Sequence, residues 1–187
     1  MDVMTAVLSR RSEHRLAEPA PCDQEFAYLL RAAATAPDRG DLRPWRLILV
    51  REKGRAALER CFADACAESG SWRGRVEEIR RAPLLATVVF SPVRHGTGLG
   101  GPVPEWEQLA ATSAMVSSLI LLLHARGFGS VWRTGEFTGS ERVRRTLGLR
   151  GDERLLGWLC VGTPEREGPS KRRVPEDVTD RISVFAP

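Results

Sequence analysis

The feature that most constrains this chain is the stretch Glu105 to Ala125. Its spacing predicts one long helix, and Ala114, Met115, Leu119 and Leu122 lie on different sides of it, so apolar residues cover most of the circumference. A helix that is apolar all round has to be enclosed, which places it at the centre of the molecule. Gly127 stands where it ends. Its most apolar part, Leu119 to Leu123, is too short and too polar-flanked to cross a bilayer, so the enclosing material is expected to be protein.

Around this helix the pattern alternates between helical and extended periods. Val3, Ala6, Val7 and Arg10 share a face, which predicts a short helix over Asp2 to Arg11 with Asp2 capping its first turn. A second helix starts at Asp23, runs through Phe26, Leu29, Leu30 and Ala33, and stops near Ala36-Pro37, because proline disfavours helical geometry in its predecessor. Lys53 to Ala67 has helical spacing, and Ser140 to Leu147 reads as a helix with Ser140 as its N-cap. Leu47 to Val50, Ala86 to Phe90, Val131-Trp132 and Leu155 to Val161 read as strands. Asp38 to Asp41 is loop, and Ser91 to Pro104, punctuated by Pro92, Gly96, Gly98, Gly100, Gly101, Pro102 and Pro104, reads as a mobile lid. The segment 163–187 is rich in proline and charge and short of core residues until Ile182, Val184 and Phe185, so it is expected to wrap a surface, that of a partner subunit.

The 187 residues suffice for a single domain, and 42% hydrophobic with 28% charged residues is ordinary for a soluble globular protein. The net charge of +4 is carried almost wholly by arginine, with lysine only at Lys53 and Lys171. Arginine suits a small anionic ligand as well as it suits nucleic acid. The basic run Lys171-Arg172-Arg173 is followed by Glu176 and Asp177, so it is no polyanion-binding tail, and a nucleic-acid reading rests on charge alone. Cys22, Cys61, Cys66 and Cys160 form no C-x-x-C pair and have no histidine at zinc spacing, so no metal site is expected. With no secretory leader before them they read as reduced, mostly buried thiols of a cytoplasmic protein, with neither a membrane nor nucleic acid as partner.

Three local constellations carry chemistry. Arg10-Arg11-Ser12 offers two guanidiniums and a hydroxyl suited to a phosphate, although a solvated helix C-terminus explains the same residues. Ala36 to Trp45 is a proline-framed polar loop that can hold a backbone edge against a flat heterocycle, with Arg39 or Arg43 reaching an anion; a plain helix-to-strand connection has the same composition. In Gly127 to Gly135, glycines bracket a short strand so that main-chain amides can approach a planar cofactor while Arg133 supplies charge; the alternative is a helix stop and a turn.

Together these segments resemble the nitroreductase superfamily, in particular its short YdjA-like branch. The resemblance also takes in Trp106-Glu107-Gln108 and Gly157 through Gly162-Thr163-Pro164, in order and in register over nearly the whole chain. It implies an α+β fold whose central, mainly antiparallel sheet is flanked by helices, in an interlocked homodimer with two FMN molecules at the interface. By this resemblance Arg10, Arg11 and Ser12 hold the FMN phosphate and ribityl chain, and Val131, Trp132 and Arg133 line the isoalloxazine. Thr35 and Arg39 reach the same FMN from the partner subunit, and Lys171 and Arg173, in a Lys-x-Arg-x-Pro arrangement, face the phosphate. Many members place a basic residue two positions after the serine, where this chain has His14, and Ser and Asn in the Ala-Pro loop, where it has Asp38 to Asp41.

The implied activity is transfer of hydride from NADH or NADPH through FMN to a small electrophile, a nitroaromatic, a quinone or similar, in alternating half-reactions. Several arginines can neutralise the flavin phosphate without a P-loop, which this sequence lacks. The flavin performs the redox chemistry, so no catalytic side chain is expected. The G-x-G element within His95 to Gly100 precedes Pro102 and Pro104 instead of opening a helix, so it is no Rossmann fingerprint. Trp106, beside the lid, either covers the substrate face of the flavin or packs into the core. The alternative function is a flavin-binding carrier or sensor with little turnover.

Overall fold

The computed structural model describes residues 1–69, 80–94, 97–98, 101–165, 168 and 170–186. In chain order the elements are α1 (Val3–Ser9), β1 (Leu16–Ala17), α2 (Asp23–Ala33), β2 (Trp45–Val50), α3 (Glu52–Ser69), β3 (Leu84–Phe90), β4 (Thr97–Gly98), β5 (Gly101–Pro102), α4 (Glu105–Ala125), β6 (Gly129–Arg133), α5 (Glu141–Thr146) and β7 (Arg154–Pro164), with 3₁₀ turns at Glu136–Gly139 and Thr179–Arg181. Each strand and helix expected from the sequence is present, the long helix with the expected ends and the others with shifted ones. The short β1 and the first 3₁₀ turn lie where the periodicity carries too few residues to be read.

Local chemistry sets the helix limits. Asp2 caps α1 by accepting from the Thr5 amide, and Ser140 caps α5 by accepting from Val143. α4 ends at Gly127, whose φ of +89° suits glycine; its amide and that of Phe128 close the last turn onto the carbonyls of His124 and Leu123.

The main sheet is antiparallel throughout, in the order β1-β7-β3-β2, with β6 also pairing with β7. β3 is buried along its whole length because helices cover both faces of the sheet. Leu58, Cys61 and Phe62 of α3 and Val143 of α5 pack on one face against Leu85, Leu155 and Trp158. There the Phe62 ring meets Trp158 edge-on at 5.1 Å and Phe137 at 5.2 Å. On the other face Phe26, Leu29 and Ala33 of α2 join Met115, Val116, Leu119 and Leu123 of α4 over Leu84, Ala86 and Val88. The α+β architecture with an antiparallel sheet between helices is therefore the one the sequence resemblance implied.

One departure from regular alternation matters. Val88 of β3 faces Gly157 of β7, but Val89 faces Leu155, so Leu156 is an extra residue, a β-bulge. The bulge resets the parity of β7, and this is why Leu155 and Trp158, three positions apart, share one face of the sheet. Gly157, at φ +118°, lies so close to β6 that a Cβ there would overlap the Arg133 carbonyl oxygen.

By length and composition α4 is apolar enough to cross a membrane, with a mean hydropathy of 1.5. It nevertheless lays one face on the sheet, while Leu109, Ala110, Ser113, Ser117 and Leu121 on its outer face are half-buried or exposed. The described parts of the segment read as a lid carry regular pairing. β4 and β5 pair within it, and buried Gln108 holds both of its feet, accepting from the Val93 amide and donating to the Val93 and Val103 carbonyls. Residues 95–96 and 99–100 of the glycine run lie outside the described residues. Cys61, Cys66 and Cys160 are buried and Cys22 is exposed, all as free thiols. Beyond β7 the described tail holds only the short turn at Thr179–Arg181.

Two outcomes follow from this packing. Gly157→Ala forces the β6–β7 pair apart and is expected to lower the unfolding free energy by at least about 3 kcal/mol, read by urea denaturation. Glu153, 2% exposed, accepts from Nε and Nη2 of Arg46 and from the Arg150 amide, and the Arg46 contact holds its pKa down at about 2 against an ordinary 4.5. A depressed carboxylate stabilises the fold above its ordinary value and loses that contribution as pH falls through its folded value. Glu153→Gln is thus expected to cost roughly 2–3 kcal/mol at pH 7. The gap from wild type should close as pH falls from 4.5 toward about 2.

Candidate functional site

The end of α1 and the tail run side by side. The Arg173 amide donates to the Leu8 carbonyl at 2.8 Å, and Nη2 of Arg11 donates to the Lys171 carbonyl at 2.6 Å. Nη1 of Arg11 is turned back onto the carbonyls of Leu8 and Arg10. Arg11 is therefore a strut between α1 and the tail as well as a source of charge.

Arg10 lies inside the resulting cluster. Its guanidinium is held below its ordinary value, first by burial and then by the positive charges of Arg173 and Arg11. A partly buried cation that neighbouring cations disfavour is in the electrostatic setting an anion relieves. Beside Arg10 and Arg11 an open pocket of about 420 Å³ is lined also by Ser9, His124, Ser130 and Ser170.

β6 brings a further group to the same region. Ser12 forms a parallel bridge with Ser130, and the Glu13 amide donates to the Ser130 carbonyl at 3.0 Å, so residues 12–14 run alongside the strand. At its end Nη2 of Arg133 approaches Nδ1 of His14 at 2.6 Å. Val131 and Trp132, expected to line the isoalloxazine, turn their side chains away into the packed layers on either side of β6. Val131 is buried in the core, and the Trp132 ring packs on the opposite face with Nε1 donating to the Leu156 carbonyl. Strand residues alternate between faces that helices already cover, which leaves the β6 main chain and Arg133 for a ligand.

Thr35 and Arg39 are elsewhere. The Thr35 hydroxyl donates to the Ala32 carbonyl, and Nε of Arg39 pairs with Glu107 at 2.6 Å. Next to Glu107, Trp106 is 69% exposed, so it is a surface residue of this chain and no part of its core. Glu107 lies in the first turn of α4, whereas His124, which bonds Ser9 at the end of α1, lies in the last. At 1.5 Å per residue these positions are about 25 Å apart. The residues expected to contact one FMN thus form two groups, Arg10, Arg11, Ser12, Lys171 and Arg173 at one end of α4, and Thr35, Arg39 and Trp106 at the other, with Arg133 farther along β6 beside His14.

Two further arrangements limit the available chemistry. Ser9 donates to the Thr5 carbonyl at 2.6 Å, so in its 2.7 Å contact with His124 it accepts, and the pair is no nucleophile with its base. Burial pushes the Cys160 thiol up to about 12, which keeps it protonated. The sequence reading missed Glu107 and Gln108 as individual contributors. Their neighbourhood with Trp106 was the available signal, but the partners, Arg39 and the lid's feet, are distant in sequence or carry no side-chain pattern.

Comparison with known proteins identifies the family. A family profile described as "Nitroreductase family" matches residues 7–163. The chain is 31% identical to the protein named Putative NAD(P)H nitroreductase YdjA of Escherichia coli strain K12, over 99% of this chain and 100% of that one. It is 30% identical to 5,6-dimethylbenzimidazole synthase of Rhodospirillum rubrum, over 90% and 85% of the two chains. Among solved structures, a nitroreductase-like family protein from Bacillus cereus superposes with a TM-score of 0.79 at 22% identity, covering 99% of this chain and 96% of that one. The FMN and NADPH-dependent nitroreductase NfnB of a sphigopyxis strain does so at 0.72 and 21%, with both chains fully covered. On the strength of the profile and the full-length relative, the chain belongs to the nitroreductase family and is an oxidoreductase.

Proposed function

We propose that the protein is a homodimer that binds two FMN molecules between its subunits and transfers hydride from NADH or NADPH to a small electrophilic acceptor. The observation that carries this reading is the division of the expected flavin contacts between the two ends of α4. A two-fold axis across the middle of that helix sets the N-terminal end of one copy beside the C-terminal end of the other, and two complete sites result. The half-covered outer face of α4 supports the same arrangement. So do the exposed Val184 and Phe185 of the tail, which this reading lays on the partner. An apolar groove of about 720 Å³ lies beside Ile48 and Leu49 of β2, the last strand in the sheet order, and is a suitable bed for such a tail.

The cation cluster fits FMN in its charge and donor set. Arg10, Lys171 and Arg173 neutralise the phosphate, Ser12 adds a hydroxyl donor, and Arg11 keeps the tail in place while adding charge. Arg133 places a positive charge where the β6 main chain ends, suited to the electron-rich side of a reduced ring. Arg39 of the second subunit reaches the flavin while Glu107 steadies it, and Trp106 shields the acceptor's side from water. Bound FMN supplies the redox chemistry itself, between a nicotinamide donor and the acceptor. The lid anchored by Gln108 stands beside Trp106 and is where acceptor preference resides.

Two outcomes test this. Arg10→Ala should weaken FMN binding about 10- to 100-fold, the range for loss of a charge-assisted contact, read by quenching of flavin fluorescence. Arg10→Ala and Arg39→Ala, each impaired alone, should complement when refolded together, because mixed dimers carry one unaltered site; random pairing restores about a quarter of the sites. No gain on mixing would contradict a shared site, and no NAD(P)H-dependent bleaching of bound flavin would contradict the oxidoreductase turnover.

A further inference from the structure

The contact between His14 and Arg133 has a direction that chemistry fixes. A guanidinium has only donors, so at 2.6 Å Nδ1 of His14 accepts from Nη2 of Arg133, and the imidazole carries its proton on Nε2. The approach is built into the backbone. The Ser12–Ser130 bridge and the Glu13 amide on the Ser130 carbonyl hold residues 12–14 against β6, and Gly157 lets the Arg133 main chain sit tightly on β7. Arg133 thus has a fixed base and a long side chain whose Nη2 meets His14. Lysine or arginine at position 14 would repel Arg133, whereas an unprotonated imidazole nitrogen attracts it.

We infer that His14 is a positioning residue for the flavin site: it acts through Arg133, fixing where that charge stands, and not by touching the flavin. This rests on the FMN reading above. It gives His14 a role opposite to that of a basic side chain reaching the ligand directly, and it makes Arg133 and His14 one unit in binding. Removal of His14 then matters only while Arg133 is present.

The test is a double-mutant cycle on FMN affinity, titrated by flavin fluorescence on the full-length apoprotein, with the urea midpoint of each variant measured beside it. His14 is exposed, so its variants are expected to fold with the wild-type midpoint. His14→Ala should weaken FMN binding about tenfold. His14→Asn, whose side-chain oxygen stands near the place of Nδ1, should restore near wild-type affinity. In an Arg133→Ala background, His14→Ala should cause no further loss. Additive losses, or failure of asparagine to rescue, would overturn the inference while leaving FMN binding intact. Absence of FMN binding by the wild-type protein would overturn the inference together with the reading on which it rests.

Discussion

The fold depends on one strand being able to serve several neighbours at once. β7 pairs with β1, β3 and β6, and its bulge at Leu156 lets it do so without turning an apolar residue to the wrong layer. The bulge keeps Leu155 and Trp158 together under α3 and α5 while Leu159 and Val161 remain under α2 and α4. It is followed at once by Gly157, where the backbone of Arg133 comes closest. Core packing and site placement therefore meet over two adjacent residues, and a change meant for one reaches the other.

From this frame the electrostatics of the site follow. β6 carries Ser130 and Arg133, Ser130 fixes the segment after α1, and the tail beyond β7 returns to α1 through Arg11 and Arg173. The result is a set of cations brought together from the beginning and end of the chain, among which Arg10 is disfavoured by its own neighbours. Such a cluster works against folding in isolation and is stabilised by an anion of matching shape. On the proposed reading, an anion bound at Arg10 would also hold the tail segment on which Lys171 and Arg173 are carried.

Much of the fold was legible in the sequence because its strong signals are local. The all-round apolar pattern at 105–125 and the caps Asp2 and Ser140 act within a few residues and stand where they were expected, while the helix before the Ala36-Pro37 break ends three residues ahead of Ala36, at Ala33. β1 was not legible, since two residues carry no period, and the bulge in β7 was not, since its effect on parity is visible only against β3. In the site, Arg10 and Arg173 were found through composition and resemblance. Which way the Val131 and Trp132 side chains turn was not legible, because a five-residue strand does not announce that both of its faces are covered. The pairings His14–Arg133 and Arg39–Glu107 join residues more than sixty positions apart, a distance at which no spacing rule operates.

The central claim is that one flavin site is made from two copies of the chain. Native mass spectrometry of the purified protein, after addition of FMN and removal of the excess, measures stoichiometry and cofactor together. The account predicts a species of twice the 20.7 kDa chain mass carrying two FMN. A species at 20.7 kDa that holds FMN by itself, or a dimer that holds none, would contradict it.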